Sequence, residues 1–142
     1  MKPGLKPGMS KTRRYEVDRE RTIGFMGEDM RTYATPFMTR DVEVTCRDWL
    51  AEFLDEGDYS VGARVEIDHL GPTLLGMHVD VTATVLAIEG RRVDFGVEVR
   101  DALDLVGRGK NIRYVVNGDK QRARLEAKRA RMKEARSKTG GC

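Results

Sequence analysis

Glu43 stands at the border of an apolar helix face, the kind of position from which a carboxylate accepts a proton or attacks a carbonyl. Val42, Cys46, Trp49, Leu50, Phe53 and Leu54 recur at i, i+4, i+7, i+8, i+11 and i+12, the stripe of a helix that faces a core. Glu43 lies about 100° round from Val42, where partial loss of water would raise its pKa towards working pH. His69 shares a strand face with Val65 and Ile67, an inward position from which an imidazole passes protons. Thr35 precedes the helix with a hydroxyl that either caps its N-terminus or orients a neighbour. Each residue has an ordinary alternative: a solvated acid, a hydrogen-bonded structural histidine, an N-cap. Cys46 reads as packing, because a nucleophilic thiol wants a base and an electropositive niche nearby. His78 is expected to face solvent.

The elements that must hold these groups follow from periodicity. Thr35 as N-cap and Pro36 at the first helical position start a helix that runs to near Asp55, with Gly57 stopping it in a left-handed conformation. Period-two alternation then takes over: Val65, Ile67 and His69 on one face of a strand, ended by Leu70-Gly71-Pro72. Met77 to Glu89 alternates next, then a Glu89-Gly90 turn, then Val93, Phe95, Val97 and Val99. A turn near Asp101-Ala102 leads into residues 103–116, where Gly107 and Gly109 mark a bulge or a close backbone approach. One buried helix followed by a long antiparallel meander predicts an α+β fold in which the sheet wraps the helix. Its open edges invite pairing with a second copy. The first dozen residues repeat Lys-Pro-Gly and suit an extended arm, residues 13–17 a short strand, and residues 22–30 a lid or a plain connector.

At 142 residues and 39% apolar content there is room for one domain of modest core. Charge is uneven: from Asn117 to Cys142 nine Lys/Arg face three Asp/Glu, so the basic excess belongs to the tail. The chain divides accordingly into residues 1–116 and a basic tail, 117–142. Ala123, Leu125, Ala127, Ala130, Met132 and Ala135 give that tail only a thin apolar stripe, which predicts a solvent-exposed helix fraying towards Gly140-Gly141-Cys142. No aromatic interleaves its charges, so base stacking on nucleic acid is not expected. Nothing has the pattern of a signal peptide or a membrane span, and a cytoplasmic protein is the expectation. Cys46 and Cys142 have neither disulfide nor metal-ligand spacing.

The runs Ala34-Thr35-Pro36, Val61-Gly62-Ala63-Arg64-Val65, Asp68-His69-Leu70-Gly71-Pro72-Thr73, Gly76-Met77, Val81-Thr82-Ala83-Thr84, Gly90-Arg91-Arg92, Val97-Glu98-Val99-Arg100-Asp101 and Gly107-Arg108-Gly109, with Glu43, occur in one order and spacing. Over residues 5–116 this framework resembles the hot-dog-fold thioesterases related to fluoroacetyl-CoA thioesterase. The resemblance implies a catalytic constellation of Thr35, Glu43 and His69, with Gly62 and Arg113 at the substrate. It also implies an acyl pocket between two subunits, with Glu43 of one near Gly62 of the other. Lys110-Asn111-Ile112-Arg113 keeps only the arginine of the family's last-strand run. No aromatic gate stands around Glu28, Asp29 and Met30, so the resemblance implies acyl-CoA hydrolysis without specifying fluoroacetate.

Thioester hydrolysis asks for the same parts: a nucleophile or activated water, a proton carrier, and donors for the developing oxyanion. It asks for no cofactor or metal beyond the CoA of the substrate. Eight residues of helix separate Thr35 from Glu43 by about 12 Å, so either the turn before the helix folds back or a partner subunit supplies one of them, and a homodimer or higher homo-oligomer is expected. The basic tail would then steer polyanionic CoA. The rival is a non-catalytic hot-dog module that binds an acyl-CoA or related ligand, or a scaffold whose tail contacts nucleic acid.

Overall fold

The computed structural model describes residues 1–138, ordered as β1 (Ser10–Glu16), α1 (Thr35–Ala51), β2 (Asp58–His69), β3 (His78–Glu89), β4 (Arg92–Arg100), β5 (Leu105–Asn117) and α2 (Gly118–Lys138), with a turn of 3-10 helix at Glu28–Met30. The strands form one antiparallel sheet in the order β1-β3-β4-β5-β2. Helix α1 lies on one face of it, touching β1, β2, β3 and β5. This is the hot-dog arrangement of a long sheet around one central helix.

The helix is seated by its apolar stripe. Met38, Val42, Cys46, Trp49 and Leu50 are buried against Val79, Val81 and Val85 of β3 and Val93, Phe95, Val97 and Val99 of β4. Trp49 tilts onto Phe95 with ring centroids 5.8 Å apart. Burying side chains of this size stabilises the fold by about 1.5–3 kcal/mol each before entropy is counted. Cys46 packs there as expected, and burial pushes its thiol up to about 12.

Several boundaries differ from the periodicity. Helix α1 ends at Ala51, so Phe53 and Leu54 pack onto the core from the following turn, and Gly57, with φ +84°, turns the chain into β2 instead of capping the helix. Ala34 is the N-cap and Thr35 opens the helix. Strand β1 begins at Ser10, because its pairing with β3 runs from Ser10–Thr84 to Glu16–His78. In β3 the register shifts between Val85 and Ala87. An extra residue on one strand of a pair reverses the faces beyond it, so Ile88, not Ala87, reaches the core and Leu86 is exposed. Gly109 is a close approach: a Cβ there would lie 1.7 Å from the Glu66 carbonyl oxygen across the β2–β5 ladder.

Helix α2 leaves the end of β5 with no buried residue, as the thin stripe foretold. Cys142 and the expected fraying at residues 140–142 lie outside the described residues. Among the described residues, no helix is long and apolar enough to cross a membrane.

Candidate active site

Thr35 stands at the first turn of α1 with Ala34 before it and Pro36 behind. It does not cap the helix; its Oγ1 lies 2.7 Å from His69 Nδ1. His69 is the last residue of β2, on the inward face with Val65 and Ile67, while Arg64, Glu66 and Asp68 point to solvent. Tyr33 stands edge-on to the imidazole, centroids 6.4 Å apart. Half-burial holds the imidazole below its ordinary pKa, a hydrogen bond to the Gly71 backbone working the other way. The neutral ring is therefore favoured, and it can accept a proton.

Glu43 lies further along α1, over β2 and β5. Its Oε2 is 3.7 Å from Arg113 Nη1, and a Cβ at Gly62 would come within 3.0 Å of the same oxygen. A side chain at position 62 would displace the carboxylate, so the bare backbone of β2 is part of its seat. The carboxylate is wetter than the helix pattern implied, with 39% of its side chain exposed. It faces a cavity of about 360 Å³ lined by Pro36, Thr39, Arg40, Val44, Arg47 and Arg113.

Arg113 is held with little freedom. Its Nε donates to Ser60 Oγ at 2.9 Å, its Nη2 to the Ser60 carbonyl at 3.2 Å, and its Nη1 to Asn111 Oδ1 at 3.4 Å. Burial lowers its pKa, and Glu43 opposes that shift. Ser60 and Asn111 were not singled out from sequence, although the signal existed. On the inward face of β5, positions 107, 109, 111, 113 and 115 alternate, and Asn111 and Arg113 are two fully committed polar residues on an otherwise apolar or glycine face.

Asp41 was missed as well. Only 1% exposed, it accepts from Arg21 Nε at 3.0 Å, Arg21 Nη2 at 3.2 Å and the Tyr33 hydroxyl at 2.5 Å. Burial, and next this carboxylate, drives the Tyr33 phenol far above its usual value. The cluster pins the segment before α1 onto the helix, and with it the Tyr33 ring against His69. In that segment Phe25 is 84% exposed. Glu28 is held by Arg19 and Arg31, whose hydrogen bonds bring its carboxyl down to about 2.

Two half-sites result. Thr35 and His69 form one; Glu43, Gly62 and Arg113 form the other. Within one protomer, Thr35 and Glu43 are eight helical residues apart, about 12 Å. Gly62 and His69 are seven strand residues apart, roughly 20 Å. Glu43 is seated against Gly62 of its own chain, which corrects the expectation that these two residues meet across subunits. Their joining is local because α1 crosses the β2–β5 pair at that height.

The fluoroacetyl-CoA-specific thioesterase family, FlK, matches residues 17–119. The chain belongs to this family. It is 30% identical over 135 residues to the fluoroacetyl-CoA thioesterase of Streptantibioticus cattleyicolor, covering 90% of this chain and 97% of that one. The crystal structure of a single-site variant of FlK superposes with a TM-score of 0.81 at 29% identity, covering 89% of this chain and 99% of the other. A thioesterase-superfamily protein of Thermus thermophilus superposes with a TM-score of 0.83 at 30% identity, over 93% and 98% of the two chains. The thioesterase fold of this chain is thus that of the family.

Proposed function

We propose that this thioesterase hydrolyses acyl-CoA thioesters at a site completed by a second copy of the chain, with Thr35, Glu43 and His69 as its working groups. The observation that carries the reading is the bond between the Thr35 hydroxyl and His69, made in place of a helix cap, while Glu43 opens onto a cavity. In this reading Glu43 either attacks the thioester carbonyl, expelling the CoA thiolate and leaving an anhydride that water then cleaves, or draws a proton from a water that attacks the carbonyl as the C–S bond breaks. His69, oriented through Thr35, polarises the water or returns the proton to the departing CoA thiolate. Gly62 leaves room for the acyl carbonyl beside Glu43, and Arg113 sets the carboxylate's position. Nothing beyond the CoA of the substrate is required.

Assembly follows from β2. It is the last strand of the sheet, twelve residues long, and its inward residues Val65, Ile67 and His69 are only half-buried. An exposed edge of that length invites antiparallel pairing with a second copy. A two-fold axis beside Val65 and Glu66 would pair residues 62–69 of both strands and set Gly62 beside the partner's His69. Each Glu43 half-site would then meet the other subunit's Thr35–His69 pair.

Thiol release from a panel of short, branched and aromatic acyl-CoAs tests the activity. Mixing His69→Ala with Glu43→Gln chains tests the sharing: each homodimer should be inactive, and a mixed dimer should regain one working site of two. Absence of recovery in mixtures shown to contain the heterodimer would place each pocket within one chain.

A further inference from the structure

Among the described residues, helix α2 carries on one side cations that its ion pairs do not take up. Its acids are each engaged locally, Asp119 with Arg122, Glu126 with Arg129 and Glu134 with Lys138. None of those pairs takes Lys120 or Arg124, which lie one turn apart on the same face, and Lys128 and Arg131 continue that face at i+8 and i+11. Opposite the first two stands Arg91 of the β3–β4 turn, its Nη1 donating to the Val115 carbonyl at 3.2 Å. Between these elements runs a groove of about 450 Å³ that Val61, Tyr114 and Gln121 also line.

Two features of that groove point to a ligand with more than charge. Tyr114 is 40% exposed. Among the described residues, Gln121 Oε1 is the one buried side-chain polar atom without a hydrogen-bond partner. A buried acceptor left that way is destabilising, and a ligand's N–H donor would relieve it.

We infer that this groove seats the phosphorylated adenosine end of CoA. Arg91, Lys120 and Arg124 take the phosphates, Tyr114 supplies a face for the base, and Gln121 Oε1 accepts from its exocyclic amine. The ligand's identity rests on the acyl-CoA reading above. Val61, at the groove, directly precedes Gly62, which abuts Glu43, so both sites flank the same end of β2 on opposite faces of the sheet. The thioester and the nucleotide are at opposite ends of a long flexible arm, and this spacing uses that length.

The test compares an acyl-CoA with the same acyl group on pantetheine, which lacks the nucleotide, using the full chain and a Lys120→Glu/Arg124→Glu double variant. Both side chains are exposed on α2, and circular dichroism checks that the variant folds. At low salt the variant should raise KM for the acyl-CoA at least tenfold with kcat retained, and leave KM for the acyl-pantetheine unchanged. By calorimetry the wild-type chain should bind adenosine 3′,5′-bisphosphate with salt-dependent affinity, and both the double variant and Gln121→Leu should weaken it. A wild-type chain that does not bind the bisphosphate, or a double variant with wild-type KM for acyl-CoA, overturns the inference. An oligonucleotide that binds where the bisphosphate does not overturns it in favour of nucleic acid. Should the chain hydrolyse neither thioester, the calorimetric result still decides, so the two proposals fail separately.

Discussion

Asp41 and Glu43 are two residues apart on one helix and live in opposite conditions. Asp41 is 1% exposed, with two donors of Arg21 and the Tyr33 hydroxyl on its oxygens. Glu43 keeps 39% of its side chain exposed, has one guanidinium at 3.7 Å, and borders a cavity. The 200° between them round the helix decides this: one points into the strap before α1, the other to the open edge by β2. A buried carboxylate committed to three donors is closed to a substrate. Burial alone marks structure here, and the acid with spare capacity beside empty space is the one suited to chemistry.

The largest effect that would break the contrast is at Glu43. Glu43→Gln keeps shape and removes charge, and should lower kcat by about 10²–10⁴, the usual worth of a positioned acid or base. Its stability should stay within about 0.5 kcal/mol of wild type, because a half-exposed carboxylate with a single long ion pair contributes little. A folded Glu43→Gln chain that turns over its best substrate at the wild-type rate would remove Glu43 from the mechanism.

Asp41 should behave the other way. Asp41→Ala leaves Arg21 Nε and Nη2 and the buried Tyr33 hydroxyl without their acceptor, Arg21 keeping only Asp18 on Nη1, a change expected to cost about 3 kcal/mol. Denaturant titration reads this directly, and kcat measured well below the melting temperature should fall far less than in Glu43→Gln. Equal losses of activity in the two variants, at equal fractions folded, would mean that the strap and the site are one unit.

The contrast also shows what the sequence could carry. Glu43 and His69 were legible because a polar residue at the edge of a 3.6-residue or two-residue pattern stands out against apolar neighbours. The hot-dog architecture was legible for the same reason, since Val79 to Val85 and Val93 to Val99 alternate almost without error. Asp41 was not, because it precedes Val42 at the start of the stripe and its partners Arg21 and Tyr33 come from an irregular segment without period. Thr35 looked like an N-cap because local pattern cannot reveal a partner 34 residues away. The end of α1 was misplaced for a related reason: Phe53 and Leu54 keep helical spacing and bury themselves from a turn. The inward run of β5 was readable and went unused.

His69 stands between the two acids in character, half-buried with the Thr35 hydroxyl and the Gly71 backbone as its partners, and its effect is the smallest and the most diagnostic. Burial lowers its pKa from 6.5, so the unfolded chain takes up a proton at higher pH than the folded one. Its contribution to stability is therefore complete above about pH 6.5 and fades as the pH falls through the folded value. If the neutral ring is the working form, the acid limb of kcat/KM, which reports the free enzyme, should lie below 6.5. Tyr33→Ala removes the ring that keeps water from the imidazole and should move that limb up towards 6.5. Glu43→Gln should move what remains of the limb further down, because in the shared site it removes the partner's carboxylate from beside each imidazole. A limb above 6.5 in the wild type, or one that ignores Tyr33, would show that the imidazole acts protonated or not at all, and would leave Thr35–His69 a structural pair like Tyr33–Asp41.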